Sequence, residues 1–219
     1  MRVLVFDTET TGLPENQYAP ITKSSNWPYI IQLSYVLYDS NSKELEIEGD
    51  HIIKIAEDVE LPESSIKIHG ITREKSRTEG ISITRAMGYF IAAYSTAHVI
   101  VAHNIKFDKN MVSVECYRNK INFHPSALRH RPFHDTMYMG KQLCNIRMQN
   151  RHTGEIFVKP PKLTELYMKL FDVDAKNLHD SFIDVIVCLR CYAVLCEDIR
   201  NDIYDYCPRL KELLDEHVN

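Results

Sequence analysis

No apolar run in the 219 residues approaches eighteen, so nothing reads as a membrane-spanning helix and no membrane partner is expected. The opening MRVLVFDTE has too short an apolar segment for a secretory signal. The protein is therefore expected to stay where it is made, in the reducing cytoplasm or a compartment continuous with it. Repeated C-x-x-C pairs are missing as well. The six cysteines, at 116, 144, 188, 191, 196 and 207, are expected to be free thiols, and Cys188 and Cys191 read as core filling inside an apolar helical pattern. Neither G-x-x-x-x-G-K-S/T nor G-x-G-x-x-G occurs, which argues against the usual nucleotide-driven enzymes. With no internal repeat, low-complexity tract or break in composition, residues 1–219 are expected to form a single domain.

Charge is present but unevenly spread. The formal net charge is −4, yet Arg118 to Lys162 holds nine basic residues against Asp135 and Glu155, a local +7 that leaves −11 for the remainder. An acidic body joined to a basic segment suits a protein that holds metal in one place and phosphates in another. Arg129, Arg131, Arg147 and Lys159 are the expected phosphate contacts.

The chain opens with an apolar run, Val3 to Phe6, that breaks at Asp7-Thr8-Glu9 and turns at Thr11-Gly12-Leu13-Pro14. Four apolar residues in a row suit a short strand covered on both faces. Residues two apart on a strand share a side, so Asp7 and Glu9 would stand roughly 7 Å apart on one face. A polar, proline-bearing stretch at 14–28 reads as a flap-like loop. Tyr29 to Tyr38 and Leu45 to Ile55 read as strands of an antiparallel meander turning at Asp39 to Ser42. Residues 57–81 read as loop. A helix is predicted over Ser82 to Tyr94 with Ser82 as its cap, then an all-apolar strand, Val99 to Ala102, and a helix from about Asp108 to Asn119. Phe133 to Thr136 could form a short strand, and 140–162 is a basic insertion. Helices over Lys162 to Phe171, Ser181 to Ile199 and Pro208 to His217 complete the pattern, which predicts an α/β fold with a mixed central sheet flanked by helices.

Asp184 lies inside Ser181 to Val187, among residues that demand burial, and no Lys or Arg occurs between Lys176 and Arg190 to pair with it. A buried carboxylate is costly unless it is paired or bound to metal. Asp108 adds a third acid after the second buried strand. If the two strands are neighbours, Asp7, Glu9, Asp108 and Asp184 open at one sheet edge. They could there hold two divalent ions in the arrangement used for in-line displacement at phosphorus. His179, just ahead of the last long helix, is then a candidate base for the attacking water.

Three motifs occur in order: Asp7-Thr8-Glu9-Thr10-Thr11-Gly12-Leu13, His103-Asn104-x-x-Phe107-Asp108, and His179-Asp180-x-x-x-Asp184. Together they resemble the DEDDh 3′-to-5′ exonucleases, most nearly the proofreading ε subunit of bacterial DNA polymerase III and its stand-alone relatives. The resemblance extends from residue 1 to about 196 and implies a ribonuclease-H-like fold. It also implies two Mg²⁺ or Mn²⁺ ions, with Asp7, Glu9 and Asp184 on the first, Asp7 bridging to the second and Asp108 supporting the site. His179 would be the general base. Leu13 would pack against the terminal base, with Thr8 and Asn104 near the last nucleotide. His69, in a loop His69-Gly70-Ile71-Thr72 that also resembles the family, would join the substrate-binding residues. The expected activity is release of nucleoside 5′-monophosphates from DNA 3′ ends, with a DNA polymerase as a candidate partner. An exoribonuclease of the oligoribonuclease type is the alternative within the class, and a non-catalytic nucleic-acid-binding module the alternative outside it.

Overall fold

β1, Arg2–Thr10, is the central strand. Val3, Leu4, Val5 and Phe6 are all exposed by 2 % or less, and each such burial contributes about 1.5–3 kcal/mol. The side chains divide by parity. Val3 and Val5 enter a core built with three helices, α7 (Leu163–Phe171), α8 (Ser181–Leu195) and α9 (Pro208–His217). Leu4 and Phe6 enter a second core on the opposite face, against α3 (Ile83–Thr96) and α4 (Ile105–Arg118). This computed structural model describes residues 1–124, 131–176 and 178–218.

The five-stranded sheet runs β3-β2-β1-β4-β5, where β2 is Ile30–Asp39, β3 Glu44–Ile52, β4 Val99–Ala102 and β5 Phe133–Asp135. The first three strands form the expected antiparallel meander, while β4 and β5 run parallel to β1. The α/β class with a mixed central sheet is thus as the sequence predicts. Ser82 caps α3 as expected, accepting from the Arg85 N–H. All six cysteines are free. Among the described residues no helix is long and apolar enough to cross a membrane.

Several boundaries depart from the sequence reading. β1 does not stop at Phe6. It continues to Thr10 because Asp7 and Glu9 face Ser34 and Gln32 of β2 and keep the ladder intact. The acids therefore sit within the strand, on one face, as their spacing predicts. Residues 57–81 hold two seven-residue helices, α1 (Glu63–His69) and α2 (Arg73–Glu79), each too short to show a helical period. Their punctuation is local. Gly70 ends α1 at φ +71°, and the Thr72 hydroxyl caps α2 by accepting from the Lys75 N–H. The second motif's helix starts at Ile105, which places Asp108 in its first turn. The 140–162 insertion is also more ordered than its composition suggests. After two single-turn helices, α5 (Thr136–Met139) and α6 (Lys141–Cys144), it forms a separate hairpin of β6 (Ile146–Gln149) and β7 (Ile156–Lys159).

Candidate active site

The parity that fills the core also builds the site. Continuing the face of Val3 and Val5, β1 presents Asp7 and Glu9 to the side where α8 packs, and Asp184 lies in the first turn of α8. One carboxylate oxygen from each of Asp7, Glu9 and Asp184 lies within 4.8 Å of the others. The helix N-terminus favours an anion at Asp184, but three carboxylates this close repel one another.

Their proton affinities record that repulsion. Burial, then the charges of Asp108, Asp184 and Glu9, pushes the Asp7 carboxyl well above its ordinary range. Burial and the charge of Asp184 raise Glu9 to about 8. Burial raises Asp184 to about 7, opposed by the backbone N–H of His179 and reinforced by Asp180. Asp184 Oδ1 is buried with no hydrogen-bond partner among the described residues. An all-oxygen donor set with one orphaned buried oxygen fits a hard divalent cation such as Mg²⁺ or Mn²⁺.

Asp108 stands apart from that triple. Its Oδ1 accepts the Thr8 N–H at 3.1 Å and the Thr8 hydroxyl at 2.8 Å. Burial lifts it to about 7 against the pull of those two bonds. Thr8 is buried and spends both its donors on Asp108 rather than on the space in front of the acids.

The acids open into a cavity of about 650 Å³, whose lining includes Leu13, Asn104, Lys162 and His179. Leu13 is 83 % exposed at the tip of a turn that is fixed beneath it. The Thr10 hydroxyl donates to the Gly12 carbonyl, and the Ser65 hydroxyl donates to that of Thr11. Asn104 and His179 are both exposed and both have left-handed backbones, at φ +70° and +80°. Such conformations in non-glycine residues persist only where their surroundings enforce them.

His69 does not line this cavity. It is buried, and its Nδ1 accepts the Ile71 N–H at 3.0 Å, so the ring proton sits on Nε2. Burial lowers its pKa and keeps it neutral. Arg131 is not at the site either. It precedes β5, at the end of the sheet remote from the acids, and donates to the carbonyls of Tyr94 and Ser95 at the end of α3. Lys159 is tied to Glu165 at 2.7 Å. Arg129 lies outside the described residues.

The sequence reading gave no role to His103, although it belongs to the second motif. Its Nε2–H donates to the Pro161 carbonyl at 3.1 Å, so Nδ1 accepts from the Thr136 hydroxyl at 2.9 Å. Burial lowers its pKa and favours this neutral form. The ring thereby fixes the Pro160-Pro161-Lys162 rim of the cavity to the end of β4. Gln32, Ser34 and Asp50 were also overlooked, and they continue a polar row across the sheet from the acids. Gln32 and Ser34 are polar residues two apart in an otherwise apolar strand, and that spacing was the available signal.

A pair of acids on the central strand of a five-stranded mixed sheet, completed to a triple by a carboxylate from a helix, defines a ribonuclease-H-like exonuclease fold. The sequence profile of the exonuclease family of RNase T matches residues 4–192, and the chain belongs to that family. No curated protein sequence matches it significantly. Among solved structures it is similar to E. coli Exonuclease I in complex with a dA16 oligonucleotide, at 19% identity and a TM-score of 0.65, covering 94% of this chain and 42% of that one. The dT13 complex gives 19% identity and a TM-score of 0.67 over 94% and 43% of the two chains. The zinc-bound complex of the E. coli enzyme with single-stranded DNA gives 19% and 0.64 over 99% and 43%. The chain spans less than half the length of these structures.

Proposed function

We propose that residues 1–219 form a 3′-to-5′ exonuclease domain that removes nucleoside 5′-monophosphates from single-stranded DNA ends with the help of divalent cations. The observation that carries this reading is the convergence of Asp7, Glu9 and Asp184 within 4.8 Å, with Asp184 Oδ1 left without a partner. The neighbouring structures hold dA16 and dT13, and one is zinc-bound, which supports single-stranded DNA and a divalent cation here. A polymerase partner is no part of the proposal.

Asp7, Glu9 and Asp184 would hold the first of two Mg²⁺ or Mn²⁺ ions, with Asp7 shared between the two. Asp108 would steady the site from the α4 side. The ions, when bound, neutralise the carboxylates and offset the charge that develops on phosphorus during in-line attack. The protein's own residues do the rest. His179 takes the proton of the attacking water, and its exposure at the cavity edge lets it pass that proton to solvent. Leu13 packs against the terminal base, and Asn104 lies near the last nucleotide.

Digestion of end-labelled DNA and RNA of one base sequence, with and without Mg²⁺, tests this. A 3′ label should appear at once as a mononucleotide, and a 5′ label should give a descending ladder, only with metal and faster on DNA. Faster release from RNA would reassign the substrate to the oligoribonuclease type. Metal-independent binding without cleavage would make the domain a binding module.

A further inference from the structure

Gln32 of β2 lies across from Glu9 in the β1–β2 register but faces a different task. It is buried to 3 % exposure. Its Oε1 accepts the Ser181 N–H at 3.3 Å. Its Nε2 donates to Asp50 Oδ1 at 2.8 Å and to Asp180 Oδ1 at 3.3 Å. One side chain thus joins β2, the edge strand β3 and the start of α8.

A second connection runs beside it. The Ser34 hydroxyl donates to the same Asp50 oxygen at 2.9 Å. Its single hydrogen is therefore committed, and the 2.5 Å contact between Ser34 Oγ and Ser181 Oγ must be donated by Ser181. Every hydrogen in the row has one direction, and Gln32 and Ser34 both donate to one oxygen of Asp50. That carboxylate is exposed and lies on β3, at the edge of the sheet.

What this row fixes is the chain immediately after His179. A left-handed backbone at a non-glycine residue is strained and relaxes to negative φ unless its neighbours prevent it. Asp180 and Ser181 are the residues that Gln32 holds. We infer that Gln32, with Asp50 behind it, is a positioning residue that keeps His179 in its φ +80° conformation and so aims its imidazole into the cavity. The inference rests on the reading of His179 as the base. It adds that an exposed acid on the edge strand governs the geometry of the chemistry.

The fold does not depend on the Gln32 amide. Asp180 Oδ1 still caps α8 through the Phe182 N–H at 2.9 Å, and Ser34 still meets Ser181. Gln32→Met keeps the length of the side chain and removes its bonds to Ser181, Asp180 and Asp50. Since tenfold in rate corresponds to 1.36 kcal/mol, comparable to the loss of one such hydrogen bond, kcat on a single-stranded oligonucleotide should fall about tenfold with KM within twofold. Asp50→Ala should lower kcat about threefold, as the outermost member of the same hydrogen-bonded row. Asp50→Asn keeps an oxygen for both donors and should restore it.

A double-mutant cycle supplies the decisive readout. In a His179→Ala background, Gln32→Met should change kcat by less than twofold, because the residue through which it acts is gone. The same tenfold loss in both backgrounds would overturn the inference. Loss of nothing in His179→Ala alone would instead overturn the reading of His179 as base. A measurement without metal or substrate stands apart from both. Hydrogen exchange at the Ser181 amide should quicken at least tenfold in Gln32→Met, and the His179 ring resonances should broaden or split. Wild-type exchange and spectra in that variant would also overturn the inference.

Discussion

One oxygen of Asp108 receives two hydrogen bonds from a single residue, the amide of Thr8 at 3.1 Å and its hydroxyl at 2.8 Å. The bond pair crosses from β1 to α4, so the acid of the second motif is held by the residue between the two acids of the first. Thr8→Val preserves the shape and removes only the hydroxyl. An under-satisfied buried carboxylate costs about 1–3 kcal/mol, so the thermal midpoint should fall by several degrees in a chain of this size. Hydrolysis should fall with it, and Thr8→Ser should recover both. An unchanged midpoint and turnover in Thr8→Val, by calorimetry and oligonucleotide digestion, would mean that Asp108 does not depend on this partner.

The carboxyl shifts predict how stability without metal follows pH. Glu9 is held near 8, and Asp108 and Asp184 near 7, all above their ordinary values. The fold therefore keeps protons that the unfolded chain has released. This contribution is complete below the unfolded values near 4 and is lost as pH rises through 7 to 8. The metal-free protein should lose stability between pH 6 and pH 8.5, and the stabilisation by Mg²⁺ should be larger at pH 8.5. Asp184→Asn should raise the metal-free midpoint at pH 8.5 relative to wild type, flatten its pH dependence and abolish hydrolysis. A midpoint in that variant that falls in parallel with wild type would contradict the crowding of the acids.

Arg118 predicts a different failure. Its guanidinium donates to the carbonyls of Ser24, Trp27 and Pro28 and to Glu115, whose side chain is only 3% exposed. The 14–28 flap is thereby fastened to α4, the helix of Asp108. Removing one partner of a buried pair costs about 3–5 kcal/mol, so Arg118→Leu should lower the midpoint sharply. Trp27 is the sole tryptophan and is 4 % exposed, so its emission should shift to the red. Adding Glu115→Gln should recover part of the loss, whereas Arg118→Lys should recover little, since an ammonium lacks the planar fork these four acceptors use. Wild-type emission in Arg118→Leu would show that the flap is held by something else.

The basic insertion predicts a salt effect narrower than its composition suggests. Arg118, Arg131 and Lys159 are occupied within the protein, whereas Arg147 on β6 and Arg151 in the hairpin turn meet no partner among the described residues. Changing Arg147 and Arg151 to Gln should reduce the slope of log affinity against log salt by about 0.7 per contact on a single strand. Hydrolysis of a nitrophenyl thymidine monophosphate, which needs only the acid site, should stay unchanged. An unaltered slope would make the hairpin a solvated projection.

The motif acids, the mixed sheet and most long elements were legible because each rests on a local period. Val3 to Phe6 and Val99 to Ala102 announce covered strands, and Asp184 stands out as a charge in an apolar helix. What stayed hidden depends on pairing across the chain. Whether Thr8 faces substrate or Asp108 is decided by a residue one hundred positions away. Arg131 reads as a free cation until the end of α3 supplies its carbonyls. The short helices at 63–79 lack a measurable period, and the hairpin at 146–159 was masked by its charge. Its strands alternate only briefly around a turn closed by Gly154 at φ +75°.

Among the described residues β3 lies at the border of the sheet, with β2 as its neighbouring strand. An open strand border invites a second chain to extend the ladder. Here Glu44, Glu46, Glu48 and Asp50 place four carboxylates within seven residues, and the register slips opposite Leu37 and Tyr38. Arg2 and Arg209 neutralise Glu46 and Glu48 from within the same chain, so those arginines are not left to bridge to another copy. Two molecules meeting border to border would set the uncompensated Glu44 and Asp50 against the acids of the other copy, on a strand already bent by its bulge. The same strand that carries Asp50 therefore guards against aggregation during folding and at high concentration.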